Sequence, residues 1–125
     1  MPSSRRSSAP RIERGQIWLA NLDPRRGTEP GKTRPVLIVQ AQALLEAGHP
    51  STLIVPLTTN LIADAEPLRV RVKPLGRLRQ ESDLLLDQLR AIDNRRLTGK
   101  PLAKLGEAAM QEVSAAIAEI MDLVP

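Results

Sequence analysis

Arg34 stands between a loop carrying Gly27, Pro30, Gly31 and Lys32 and the apolar run Val36-Leu37-Ile38-Val39. The glycines and proline keep the loop irregular, and the run has the composition of a buried strand. Pro35 restricts Arg34 to an extended backbone and is itself acceptable as the first residue of a strand. A permanently charged guanidinium is thus fixed where a loop meets a rigid element, a suitable place to hold an anion. Two further polar groups interrupt apolar stretches. Thr58 and Thr59 follow the run Leu53-Ile54-Val55-Pro56-Leu57, and Gln88, Arg90 and Asp93 lie in DQLRAID. Each also has a plain structural reading. Arg34 pairs with Glu29, the threonines cap a turn, and Gln88 and Arg90 line a solvated strand face. Spacing alone therefore supports a small β domain that binds an anion, and no more.

Several chemistries are excluded or disfavoured by residue type. There is no cysteine, so disulfides, thiolate catalysis and cysteine-based zinc sites are absent. The single histidine, His49, lies in a Gly/Pro turn and reads as a loop residue, and it rules out a two-histidine acid/base pair within one chain. A metal nuclease needs carboxylates converging on a cation, whereas Asp83, Asp87 and Asp93 are strung along one strand-like segment. Residues 27–33 lack the glycine spacing of a phosphate-binding P-loop before Lys32. No metal and no cofactor is expected.

The elements that must position these residues follow from periodicity. At 125 residues the chain makes one small domain. Trp18 is its only aromatic residue, so the core must be Leu, Val, Ile and Ala, and nucleic-acid binding cannot rest on stacked aromatics. The net charge of +4 favours an anionic partner, although Arg5, Arg6 and Arg11 supply much of the excess. Those arginines fall in residues 1–12, a Ser/Pro/Arg-rich stretch that reads as a disordered tail ahead of a domain over 13–125. No apolar run reaches the ~18 residues of a membrane span, and no signal segment is visible, so a cytoplasmic protein is expected.

Residues 16–22, 36–40 and 52–57 read as strands, and Pro56 suggests that the last is an edge strand or ends there. Residues 41–47 suit two helical turns. Leu68, Val70 and Val72 alternate with Arg69 and Arg71, predicting a strand with one buried and one solvated face. Residues 83–92 read as two short strand pieces, and 95–104 as a basic turn or short helix. From Glu107 to Leu123, the residues Ala109, Val113, Ala116, Ile117, Ile120 and Leu123 share one helical face. About five short strands and a C-terminal helix suggest a strongly bent antiparallel sheet or small barrel with the helix packed on it.

The segments RGQIWLANLDP-RRGTEPGKTRPVLIVQ, LIVPLTTN and SDLLLDQLRAIDNRRL, taken together, resemble the MazF/PemK family of toxin endoribonucleases from residue 14 to the end. The resemblance implies a small SH3-like β-barrel with a C-terminal α-helix, a homodimer, and metal-independent cleavage of single-stranded RNA. It also implies neutralisation by a cognate antitoxin, expected to be acidic and partly disordered. Arg34 matches the arginine of the family's RP motif and Thr58 the threonine ending the PLT strand, the expected catalytic pair. Thr28 matches a loop position near the substrate, and Gln88, Arg90 and Asp93 match the QxRxxD motif. Together with Glu29, Lys32 and Thr59 these make the expected RNA-binding set. Sequence preference is expected from loops 25–33 and 63–80. Two departures stand out: Gln16 replaces a common acidic residue, and Pro30 a polar one. Two other functions suit the same fold, a toxin that poisons DNA gyrase without cutting nucleic acid and a non-catalytic RNA-binding module.

Overall fold

The computed structural model describes residues 11–29 and 31–123. The expected tail lies outside them except for Arg11 and Ile12, as does the departure at Pro30. In chain order the elements are β1 (Gln16–Asn21), β2 (Thr33–Ile38), α1 (Gln42–Glu46), β3 (Ser51–Thr58), β4 (Arg69–Val72), β5 (Ser82–Leu85), β6 (Arg90–Asp93), β7 (Leu97–Lys104) and α2 (Glu107–Ile120). Single 3-10 turns at Leu86–Gln88 and Asn94–Arg96 flank β6. The seven strands form a sheet ordered β4-β5-β3-β2-β1-β7, with β6 also on β3 and every pairing antiparallel.

Because successive strand residues point to opposite faces, β1 feeds two cores. Ile17 joins Leu37, Val55, Leu57, Val70, Val72, Leu84 and Leu86 on the inner face, where Val113 and Ala116 of α2 close the cluster. Trp18 joins Val36, Ile38, Ile54 and Ile92 on the outer face, beside Leu45 of α1 and Leu97. This is why residues 16–22 are apolar in both phases. Each such aliphatic side chain stabilises the fold by about 1.5–3 kcal/mol relative to exposure. The indole N–H of Trp18 donates to Gln16 Oε1 at 2.9 Å, so the departure at Gln16 satisfies a core polar group.

The fold class is as expected, with corrections in detail. Residues 97–104 form a long strand, not a basic turn or short helix. Gly99, Pro101 and two lysines hide its alternation, and all are tolerated because β7 is an edge strand paired only with β1. β3 is not an edge: it pairs with β2, β5 and β6 in turn along its length. Leu68 precedes β4 and is exposed, and α2 ends at Ile120, leaving Leu123 in solvent. The face carrying Arg69 and Arg71 is not simply solvated, since both side chains pair with buried Asp83.

The bent sheet is not closed strand to strand. Loop 73–81 bridges its open side by lying on β7, where Arg77 N donates to Leu102 O at 2.7 Å and Arg77 Nη2 to Pro101 O at 2.7 Å. Gly76 makes this approach possible. Its φ is +55°, and a Cβ there would stand 2.7 Å from Leu102 O. Among the described residues no helix is long and apolar enough to cross a membrane.

Candidate active site

Two prolines create the site. β2 pairs with β1 over residues 33–37 but with β3 only over 36–38, Val36 facing Pro56. Pro35 and Pro56 carry no N–H, so the β2–β3 ladder cannot continue past them. β3 turns to β5 at Leu57 and Thr58. A cleft of about 510 Å³ opens at this divergence, lined by Arg34, Pro35, Leu57, Thr58 and Thr59 on one side and by Arg77, Arg79, Gln80 and Ser82 on the other. Pro35 is the third residue of β2 rather than its first, and is accommodated where that strand has a neighbour on one side only.

Arg34 does not pair with Glu29. Its Nε donates to Gly31 O at 3.2 Å, and its Nη1 spans the cleft floor to Leu57 O at 3.3 Å. Both partners are main-chain carbonyls, and among the described residues no carboxylate lies within the 4.0 Å reach of a salt bridge to it. The guanidinium is therefore oriented but not neutralised, with the Nη2 hydrogens and one on Nη1 left to donate. Gly31 is held tightly in turn: a Cβ there would meet Arg25 Cβ at 2.7 Å. Asp23 Oδ1 accepts from Lys32 N at 2.5 Å, and Lys32 O accepts from Leu22 N at 2.8 Å, pinning the loop's base.

Thr58 is half-buried at the end of β3. Its Oγ1 accepts from Asn60 N at 3.1 Å, which leaves its hydroxyl proton free to donate. Among the described residues the cleft lining contains no carboxylate and no imidazole. Its chemistry is that of an anion site with fixed donors, suited to stabilising charge that develops on a phosphoryl group.

The remaining expected residues divide. Thr59 lines the cleft. Thr28 and Gln88 lie instead in a second groove of about 350 Å³ with Ile62, Leu68, Arg69 and Leu85. Glu29 sits 3.9 Å from Arg90 Nη1, an atom that is buried without a hydrogen-bond partner. Lys32 is exposed on the loop, with φ +64°. Asp93 faces Ser51 across the β3–β6 ladder, seven residues from Thr58 and so about 23 Å along the strand. Its carboxylate accepts from Arg95 N at 2.8 Å and from the Arg95 guanidinium at 3.0 Å, which lowers its pKa to about 2. Within one chain Asp93 thus braces the turn before β7.

His49 is an exposed loop residue, as expected. Among the described residues no three His, Asp or Glu side chains are grouped as a metal ion would require. Sequence reasoning put Arg77, Arg79 and Gln80 in the loop 63–80 expected to set sequence preference, but did not put them at the cleft of Arg34 and Thr58. It assigned no role to Asp83, which is buried on β5 and belongs to an ion-pair cluster. The signal was present in the hairpin register, where Asp83 faces Arg71 directly.

Comparison with known proteins points to one family. The family described as PemK-like, MazF-like toxin of type II toxin-antitoxin system matches residues 13–121. Endoribonuclease MazF of Staphylococcus epidermidis is 35% identical over 110 residues, spanning 85% of this chain and 88% of that protein. The Mycobacterium tuberculosis toxin MazF-mt6 superposes with a TM-score of 0.71 at 25% identity, covering 88% of this chain and 99% of the other. An endoribonuclease solved with its cognate antitoxin, from Mycobacterial species, gives a TM-score of 0.71 at 23% identity over 91% of this chain and 98% of that one, a likeness of fold.

Proposed function

Since the chain belongs to the family of PemK-like, MazF-like toxins of type II toxin-antitoxin systems, we propose that it is an endoribonuclease that cuts single-stranded RNA in the cleft between β2 and β3. The observation that carries this reading is the pairing of Arg34 with Thr58 on one cleft floor, a guanidinium free of any carboxylate beside a hydroxyl whose proton is available.

The reaction needs no metal. The 2′-oxygen of one nucleotide attacks the adjacent phosphorus, a P–O2′ bond forms, and the P–O5′ bond breaks. The products are a 2′,3′-cyclic phosphate and a 5′-hydroxyl end. The free N–H groups of Arg34 and the hydroxyl of Thr58 donate to the phosphoryl oxygens, where negative charge grows. They also hold the scissile linkage in line, so the attack is effectively unimolecular. Arg34 stays protonated and acts through charge, not as a base. The cleft holds no carboxylate or imidazole, so the 2′-hydroxyl proton leaves through a phosphoryl oxygen or water, and the departing 5′-oxygen is protonated by the same route.

RNA extends from the cleft over the basic loop 73–81 and toward the second groove, where Thr28 and Gln88 contact unstacked bases. Glu29, Lys32, Thr59 and Arg90 complete this contact set. The toxin works in the cytoplasm as a homodimer, and its antitoxin is an acidic, partly disordered segment that competes for the same basic surface. The domain that does this spans residues 13–125, and the arginines of residues 1–12 add electrostatic affinity at most.

Arg34→Ala tests the reading. Cleavage of a single-stranded RNA is expected to fall by about 10³-fold or more, with an unchanged circular-dichroism spectrum and melting temperature. Cleavage near the wild-type rate in this variant would show that Arg34 is not the catalytic cation.

A further inference from the structure

The turn at residues 59–62, which follows Thr58 and walls one side of the cleft, has no apolar anchor. Asn60, Leu61 and Ile62 are all exposed. What holds it is a polar cluster centred on Asp83, whose side chain is 2% exposed. Asp83 Oδ2 accepts from Ile62 N at 3.1 Å and from Arg69 Nη1 at 3.1 Å, and Oδ1 accepts from Arg71 Nε at 2.5 Å. Each arginine then reaches back to the turn. Arg69 Nη1 donates to Asn60 O at 2.8 Å, and Arg71 Nη2 to Ile62 O at 3.3 Å. Asn60 in its turn donates its amide to Thr58 Oγ1 at 3.1 Å. Asp83 and Thr58 also face one another across the β3–β5 ladder, so both ends of this chain of bonds stand on rigid backbone.

We propose that Asp83, acting through Arg69 and the turn, is a positioning residue for catalysis that aims the Thr58 hydroxyl at the phosphoryl group. The proposal rests on the ribonuclease reading given above. Its physical basis is that the bond from Asn60 N fixes the Thr58 oxygen, so that the hydroxyl proton is aimed instead of rotating freely. The turn that carries this amide is held on its far side by Arg69 at Asn60 O and by Asp83 and Arg71 at Ile62. A displacement of about 1 Å at a reacting group lowers rate by about 100-fold.

The test is a double-mutant cycle on the full chain with a fluorogenic single-stranded oligoribonucleotide, at a temperature well below unfolding. Asp83→Asn is expected to lower kcat by about 30- to 100-fold with KM within about two-fold. In a Thr58→Ala background the same substitution is expected to change kcat by less than about three-fold, because the group it aims is gone. Equal losses in both backgrounds, or a kcat within three-fold of wild type, would overturn the proposal.

Arg69→Gln keeps the Asp83–Arg71 pair and serves if Asp83→Asn fails to fold. It is expected to lower kcat by about ten-fold, again only when Thr58 is present. A readout independent of activity is hydrogen exchange at the Asn60 amide. Its protection should be lost in Arg69→Gln while the β3 and β5 amides keep theirs, and unchanged protection would contradict the clamp. Wild-type protein that cleaves no RNA would instead remove the ribonuclease reading, leaving the exchange result to decide the clamp.

Discussion

Arg34 and the Arg69–Arg71 pair are the same residue type, reaching the end of β3 and the turn that follows it, and they are used in opposite ways. Arg69 and Arg71 share the buried carboxylate of Asp83, so their charge is consumed inside the protein and spent on holding a turn. Arg34 is oriented by two main-chain carbonyls that carry no net charge, so its positive charge remains for a ligand. The difference separates a structural arginine from a functional one: both are fixed, but only one is left uncompensated. It follows that a substitution at Arg34 should move rate alone, whereas one at Asp83 should move stability as well as rate.

The largest effect is expected at Arg34, where alanine removes activity and leaves stability in place. Asp83→Asn is expected to lower stability in addition to its smaller loss of kcat. It leaves two guanidiniums facing a neutral group, and although Arg71 is more than a third exposed and its share is screened, about 2 kcal/mol of folding stability should be lost. In a chain of this size that lowers the melting temperature by about 8 °C.

The acid limb of stability sharpens the point. Burial pushes the Asp83 pKa up, but hydrogen bonds from Arg71, the Ile62 amide and Arg69 outweigh it, and the net pKa lies below the ordinary value of 3.8. A depressed carboxylate contributes stability that is present above its unfolded pKa and lost as pH falls through the folded one. Wild-type stability measured by chemical denaturation should therefore fall as pH drops below about 4, and Asp83→Asn should flatten that slope. An unchanged slope would mean that Asp83 is not the group responsible.

Gly76→Ala is expected to act between the two extremes. A side chain at φ +55° is strained, and its Cβ would press on Leu102 O, so the loop carrying Arg77 and Arg79 must move off β7. Stability should drop by about 1–2 kcal/mol, and KM for RNA should rise several-fold with kcat nearly unchanged, as the loop contributes binding rather than the reacting groups. The smallest effect is expected for Asp93→Asn in one chain. Its carboxylate is taken by Arg95, and cleavage rates should stay within about three-fold of wild type.

Much of this arrangement was legible in the sequence, and the gaps have physical causes. Pro35 marked the extended backbone at Arg34, and the alternation of Val70 and Val72 marked β4. The 3.6-residue spacing from Ala109 to Ile120 marked α2. β7 was not legible because an edge strand tolerates Gly99, Pro101 and lysines that a central strand would exclude. The central place of β3 was hidden because Pro56 sits where the strand exchanges one neighbour for another. The pairing of Arg34 with Thr58 depends on that exchange, a long-range event with no local signature. The role of Asp83 was hidden for a related reason: it lies in the cross-strand register with Arg71, not in its distance along the chain from Asp87.

The most direct measurement is incubation of the purified protein with a long single-stranded RNA in EDTA, followed by mapping of the fragment ends. Discrete fragments bearing 5′-hydroxyl and 2′,3′-cyclic phosphate ends, absent with Arg34→Ala, are the result expected from an uncompensated guanidinium acting on a phosphodiester. Intact RNA in two unrelated sequences, or fragments with 5′-phosphate ends, would contradict it.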